Sequence, residues 1–266
     1  MKKAVNLDSL YLELPFMDRF AAAAADGFRY VEMWYHHDRN IEQIRQALQQ
    51  HNLKMSGMNG DRYFALCDPA HKTEYIAEVT ATMQAAKQMG LPGVALHSNV
   101  IAADGTAADT FPQFSDTTKL LTMYDNLCTL APVAEKMEML LVIEPLNTVV
   151  DHIGNFLKDT ATAADLTRAV GSPYVKVLYD AYHMYLNEGR VCETLEQYAD
   201  QIGYVHIADA PGRHEPGTGA IYYPRVFQTL HDIGFDGFVS CELFAKDDTP
   251  TAIRHILRAC ENYFES

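Results

Sequence analysis

Acidic and histidine side chains recur where apolar segments end in the second half of the chain. Four of them are Glu144, Asp180, His206 and Glu242, and the intervals between them are 36, 26 and 36 residues. Each interval is about one strand-plus-helix unit, so a repeating fold would bring the four side chains to one place. Buried carboxylates need a partner. Three carboxylates and an imidazole, with no sulfur, favour Mg²⁺, Mn²⁺ or Co²⁺ over a structural zinc.

Each of these residues taken alone has a simpler interpretation. A glutamate at a strand end is often a surface or salt-bridged carboxylate, and His206 alone could be a core histidine bonded to a carbonyl. The joint spacing favours a site. His183 falls in the same apolar segment as Asp180, which we predict to be a strand throughout. His97 is better explained as a hydrogen-bonded histidine behind a ligand than as a ligand.

A loop rich in glycine and proline follows the apolar segment of His206, and the stretch reads HIADAPGRHEPGTG. Arg213 lies seven residues after His206 in this loop. Its planar guanidinium could bind a carboxylate or a phosphate, and the alternative is a solvated loop arginine. The roles of His214 and Glu215 stay open at this stage.

Strand-like and helix-like segments alternate along the whole chain. The candidate strands are continuous apolar runs, as expected of parallel strands covered by helices, at 3–7, 30–34, 54–59, 93–98, 139–147, 175–183, 204–209 and 237–244. Eight such pairs in 266 residues predict one (β/α)8 TIM barrel domain over residues 1–266. The alternative is a doubly wound open sheet, but no glycine-rich motif follows the first strand. Pro132 is expected to kink or break the helix that contains it.

Composition excludes several classes of partner. The net charge of −14 and the pI near 5.1 argue against a nucleic-acid surface and against a membrane surface. The five cysteines are scattered and form no C-x-x-C pair, which is typical of a reduced, cytoplasmic protein. No signal peptide or transmembrane segment is predicted.

Several motifs resemble one family. The loop HIADAPGRHEPGTG, with IEPLN, YDAYHM and SCELF, resembles hydroxypyruvate isomerases and their relatives within the xylose-isomerase-like barrels. The resemblance implies that Glu144, Asp180, His206 and Glu242 bind a divalent metal, Mg²⁺ or Mn²⁺ in the first place and Co²⁺ or Zn²⁺ as alternatives. It also implies that Glu144 and Glu242 act as an acid/base pair. His183 and Arg213 would contact the substrate.

The resemblance predicts a metal-dependent isomerase that moves a proton next to a carbonyl through an enediolate. The substrate would be a small hydroxy-keto acid, such as hydroxypyruvate giving tartronate semialdehyde, or a related 2-oxo sugar acid. A ketose 3-epimerase acting on neutral ketoses is the nearest alternative. A metal-dependent dehydratase and a barrel that only binds sugar acids also remain, whereas the charge disfavours a DNA-repair endonuclease. Many such relatives are homo-oligomers, which is compatible with this chain.

Overall fold

Eight parallel strands form the centre of the molecule in a computed structural model that describes residues 1–264. The strands are β1 (Lys2–Asn6), β2 (Tyr30–Met33), β3 (Lys54–Met58), β4 (Gly93–Leu96), β5 (Leu140–Ile143), β6 (Val175–Asp180), β7 (Ile202–Ile207) and β8 (Phe238–Cys241). They are hydrogen-bonded in the order β3-β2-β1-β8-β7-β6-β5-β4. An isolated parallel bridge between Asn59 and Ala95, just beyond β3 and within β4, joins the two ends of this order. The predicted (β/α)8 barrel is therefore confirmed.

Helices follow the strands and cover the outside of the barrel. They are α1 (Asp18–Ala25), α2 (Ile41–Gln50), α3 (Lys72–Gln88), α4 (Asp116–Met137), α5 (Thr160–Val170), α6 (Ala181–Asn187), α7 (Val191–Gln197), α8 (Tyr223–Asp232) and α9 (Thr249–Cys260). A 3₁₀ turn, Pro69–His71, precedes α3. Among residues 1–264, no helix combines the length and apolarity needed to cross a membrane.

Two predictions about these elements were wrong. The segment 175–183 is not a strand throughout, because the side chain of Asp180 accepts hydrogen bonds from the backbone N–H groups of Tyr182 and His183 and caps α6. His183 therefore lies on a helix. The break predicted as one outcome at Pro132 is also wrong, because α4 continues to Met137, and the kink predicted as the other outcome stays a prediction.

Several strands also end earlier in the sequence than the apolar runs predicted. β5 ends at Ile143, two residues before Pro145, which has no N–H to donate to a neighbouring strand. β8 ends at Cys241. As a result, Glu144 and Glu242 are the first residues beyond their strands, at the face where TIM barrels carry their catalytic groups.

The buried apolar side chains form two separate clusters. The main core fills the space between strands and helices, and a smaller cluster of Ala95, Val142, Leu178 and Tyr204 lies apart from it. The polar residues of the site project from β2, β5, β6, β7 and β8 or from the residue that follows each. The apolar packing holds these polar side chains rigidly, because protein interiors are close-packed.

Candidate active site

The four residues predicted to form a site do come together. Glu144 follows β5, Asp180 ends β6, His206 lies in β7 and Glu242 follows β8, and all four side chains are buried. His206 Nδ1 lies 3.4 Å from Glu242 Oε2, 3.5 Å from Glu144 Oε1 and 3.9 Å from Asp180 Oδ2. Glu144 and Glu242 also line a cavity of about 690 Å³ at the carboxyl ends of the strands.

Three atoms of this cluster are buried and have no hydrogen-bond partner within residues 1–264: Glu144 Oε1, Asp180 Oδ2 and His206 Nδ1. Buried polar atoms are almost always bonded, so three unpaired polar atoms facing each other need an explanation. A divalent cation supplies one, because carboxylate oxygens and a neutral imidazole are its usual ligands. Burial, and then the charge of Glu144, raise the pKa of Asp180 to about 7, which a cation would reverse.

Glu32 decides which nitrogen of His206 faces the cluster. His206 Nε2 lies 3.0 Å and 3.1 Å from the two carboxylate oxygens of Glu32, so Nε2 carries the proton and donates it. Nδ1 therefore faces the carboxylates. Burial lowers the pKa of His206, but the charges of Glu32 and Glu242 outweigh it and raise the pKa well above its usual value, so Nδ1 also carries a proton that a cation would have to displace before it binds there. Sequence reasoning missed Glu32, although a carboxylate inside the apolar stretch YVEMW was a signal.

His183 lies near the same carboxylates but with the opposite hydrogen-bond arrangement. Each of Glu144, Asp180, His183 and Glu242 offers an atom within 4.8 Å of the others. His183 Nδ1 accepts from the amide of Asn147 at 2.7 Å, because Asn147 Oδ1 is itself occupied by two backbone N–H groups. Nε2 therefore carries the proton, 3.6 Å from Asp180 Oδ2. Burial, and then Arg213, lower the pKa of His183, so it is a neutral donor.

Glu144 is also supported from behind by two residues. His97 Nε2 lies 3.3 Å from Glu144 Oε2, and His97 Nδ1 lies 2.8 Å from Asp61 Oδ1. Asp61 accepts from the backbone N–H of His97 as well. His97 thus holds one oxygen of Glu144, and the other oxygen faces the cluster. The structure therefore places His97 between Asp61 and Glu144, and its role behind a metal ligand stays a prediction.

Arg213 is committed to Glu242. Its Nη2 donates to Glu242 Oε2 at 2.6 Å, while Trp34 Nε1 donates to Glu242 Oε1. The guanidinium is buried, and its Nε has no hydrogen-bond partner within residues 1–264. The structure thus places the guanidinium of Arg213 beside the acidic cluster, where one of its nitrogens is already occupied by a protein carboxylate.

The glycine- and proline-rich loop is held by Asp209. One oxygen of this buried carboxylate accepts from the backbone N–H groups of Ala210 and Ile221, at 3.0 and 2.9 Å. The other accepts from Gly217, Thr218 and Gly219, at 2.8–3.1 Å. Gly219 has to be a glycine, since a Cβ there would lie 2.0 Å from the carbonyl oxygen of Ala210.

His214 and Glu215 belong to the loop's support. His214 Nδ1 lies 2.8 Å from the carbonyl oxygen of Phe244, and Glu215 accepts from the backbone N–H of Lys246. Arg213 itself has a φ of 55°, a left-handed conformation that is costly for a non-glycine residue. These hydrogen bonds hold the loop in place, and the loop in turn keeps Arg213 in this conformation and in contact with Glu242.

A divalent cation is expected to stabilise the fold through the acidic cluster. For chelator-treated protein, saturating Mn²⁺ at about a hundred times Kd should add about 2.7 kcal/mol to the free energy of unfolding, raising Tm by roughly 5–10 °C. Asp180→Asn should lose most of this shift, whereas Asp165→Asn, at an exposed position on α5, should keep it. Scanning calorimetry measures both. An equal shift in the wild type and Asp180→Asn would contradict a site at this cluster.

The barrel and its buried acidic pocket define a TIM-barrel enzyme with its polar groups at the carboxyl ends of the strands. Residues 20–263 match the family model described as xylose isomerase-like TIM barrel. The chain belongs to the xylose isomerase-like TIM barrel family.

Relatives narrow the class of enzyme. The chain is 33% identical to hydroxypyruvate isomerase of Escherichia coli, over 96% of this chain and 97% of that protein. It is 31% identical to 2-oxo-tetronate isomerase of Cupriavidus necator, over 90% and 91%. A crystal structure of a family 2 AP endonuclease from Brucella melitensis superimposes with a TM-score of 0.88 at 25% identity, over 99% of both chains. The two isomerases indicate that this chain is an isomerase enzyme.

Proposed function

We propose that the chain isomerises a small hydroxy-keto acid by moving a proton between neighbouring carbons next to the carbonyl. One observation carries the proposal: two buried glutamates, Glu144 and Glu242, flank the group of unpaired acceptor atoms. The substrate class follows the relatives, which are named for hydroxypyruvate and 2-oxo-tetronate.

Glu144, Asp180, His206 and Glu242 would hold the cation, Mg²⁺ or Mn²⁺ in the first place. When bound, it would polarise the substrate's carbonyl and stabilise the negative charge that develops on proton removal. The ring orientations favour His206 over His183 as the imidazole ligand, since Nδ1 of His206 faces the cluster, whereas Nδ1 of His183 is bonded to Asn147.

The two glutamates would carry the proton. One carboxylate removes the proton from the hydroxyl-bearing carbon, which leaves the enediolate of the substrate. The same or the opposite carboxylate then delivers a proton to the former carbonyl carbon, while the proton of the former hydroxyl group passes to the former carbonyl oxygen. With hydroxypyruvate, this sequence converts the 2-oxo group to a hydroxyl and the terminal CH₂OH to an aldehyde, so the product is tartronate semialdehyde. No oxidant or reductant is needed.

His183 and Arg213 would orient the substrate. The Nε2–H of His183 is a neutral donor that can hydrogen-bond a substrate oxygen without adding charge. The buried Nε–H of Arg213 has no partner within residues 1–264, so it can donate to a substrate carboxylate while Nη2 keeps its contact with Glu242. A keto acid has a carboxylate that the Arg213 guanidinium can bind, whereas a neutral ketose has none.

Proton NMR in D₂O tests the proposal directly. Metal-loaded protein should exchange the C3 protons of hydroxypyruvate for deuterium and form tartronate semialdehyde, and chelator-treated protein should do neither. Fructose and tagatose serve as the matched neutral substrates. Exchange at C3 of these ketoses, with none on hydroxypyruvate, would replace the isomerase with a ketose 3-epimerase.

A further inference from the structure

The cavity is larger than a three-carbon substrate requires. Its volume is about 690 Å³. Hydroxypyruvate has about seven non-hydrogen atoms, which at the volume of a water molecule for each atom come to roughly 200 Å³. Much of the cavity would therefore lie beyond the reacting carbons. Its outer wall includes Tyr35, Arg62 and Tyr63.

Arg62 offers a guanidinium that the protein does not use. Within residues 1–264, its side chain makes no hydrogen bond, and its one ion pair is a long one, 3.9 Å from Nη1 to Asp38 Oδ1. The guanidinium carbon lies 4.9 Å from the ring centre of Tyr35 and 5.5 Å from that of Tyr63. Two aromatic rings thus hold a planar, charged group whose N–H donors are free.

The backbone that carries Arg62 is rigidly held. Glu78, on α3, accepts hydrogen bonds from three consecutive backbone N–H groups, those of Arg62, Tyr63 and Phe64, at 2.9–3.1 Å. Asp61, the preceding residue, is anchored by Tyr75 and by the backbone of His97. This segment is pre-organised in the way that binding loops are, because ordering it costs nothing when a ligand arrives.

Arg62 is also connected to the reacting end of the cavity. Asp61 contacts His97, which contacts Glu144, so only two side-chain contacts and one peptide bond separate Arg62 from a proposed proton-transfer residue. Arg213 donates a hydrogen bond to Glu242 at that end, whereas the guanidinium of Arg62 donates no hydrogen bond within residues 1–264. Two aspartates line this cavity, and both are hydrogen-bonded to protein groups: Asp104 to Thr106, and Asp151 to Asn147 and Tyr182.

We propose that the substrate extends beyond the size of hydroxypyruvate and ends in a second anionic group, a carboxylate or a phosphate, which Arg62 binds. This inference rests on the proposed function and specifies its substrate as a hydroxy-keto acid with negative charge at both ends. Arg213 would take the carboxylate beside the reacting carbons, and Arg62 would select the far end.

Isothermal titration calorimetry on the Mn²⁺-loaded protein tests this without turnover. 2-Oxoglutarate and 2-oxopentanoate have the same length and the same 2-oxo acid head, and only the first has a distal carboxylate. Phosphohydroxypyruvate and hydroxypyruvate form the corresponding pair for a phosphate. The wild type should bind the doubly anionic member of at least one pair ten- to a hundredfold more tightly. The pair that shows the preference identifies the anion.

Arg62→Ala should abolish that preference, and Arg62→Lys should retain part of it. Arg45→Ala is the matched control, since it removes an exposed arginine on α2 that pairs only with Glu42. Equal affinities within both pairs in the wild type, or a preference that survives in Arg62→Ala, would overturn the inference. If the wild-type protein shows the binding preference but no exchange of substrate protons in D₂O, the proposed function is refuted and the anion site remains.

Discussion

Glu144→Gln is expected to lower the rate of proton exchange on the substrate by at least about a thousandfold. Glutamine keeps the shape of the side chain and one oxygen toward the acidic cluster, but it cannot accept the proton. Burial alone would raise the pKa of Glu144, but His206 and His97 beside it hold the pKa below its usual range, so the residue is ready to act as a base. Deuterium incorporation followed by NMR gives the rate.

The corresponding change at the other glutamate separates removal of the proton from its return. If Glu144 removes the proton and Glu242 returns it, Glu242→Gln should still exchange protons with D₂O but form much less product. Glu193→Gln, at an exposed position on α7, is the matched control and should behave as the wild type. Wild-type exchange rates in Glu144→Gln and Glu242→Gln alike would contradict an acid/base role for this pair.

Asp209→Asn is expected to destabilise the protein by about 3 kcal/mol and to lower Tm by roughly 6–12 °C. The asparagine amide would place N–H donors against backbone N–H groups that now share a carboxylate. Because the same loop holds Arg213 on Glu242, kcat/KM should also fall, by roughly a hundredfold. Thermal unfolding and steady-state kinetics measure the two effects.

A surface aspartate provides the comparison for this variant. Asp200→Asn removes an exposed carboxylate whose partners are Arg168 and Gln201, so its cost should be at most about 1 kcal/mol. Similar losses of stability in the two variants would mean that the loop is not held by Asp209. Loss of activity without loss of stability would assign Asp209 a role apart from support of the loop.

Much of the fold could be predicted from local pattern. The eight apolar runs each became a strand, because parallel strands buried on both faces need such runs. Boundaries were the weak point, since they depend on single residues. Asp180 turns its side chain back to cap α6 and so ends β6, and Pro145 follows closely on the end of β5.

The site could be predicted in outline for the same reason. Glu144, Asp180, His206 and Glu242 stand out because a charged or imidazole side chain inside an apolar run has no solvent to face. Their spacing of about one strand-plus-helix unit then implies a common location at one end of a barrel. Arg213 stands out because its loop is rich in glycine and proline.

Only the tertiary structure decided how these groups are used. Glu32 lies 174 residues from His206 in sequence and Trp34 lies 208 residues from Glu242, yet each pair is in contact across the barrel. No local pattern encodes such a distance, because it depends on how the strands close the barrel.

These contacts set the chemistry of each group. Glu32 turns Nδ1 of His206 toward the acidic cluster, Asn147 occupies Nδ1 of His183 so that its Nε2–H lies near the cluster, and Glu242 accepts a hydrogen bond from Arg213. The sequence by itself determined which residues gather at the carboxyl ends of the strands, since strand periodicity and burial are local properties. The tertiary structure determined the protonation and the hydrogen-bond partners of these residues, because hydrogen bonds and charges act through space. It also left the guanidinium of Arg62 without a hydrogen bond within residues 1–264.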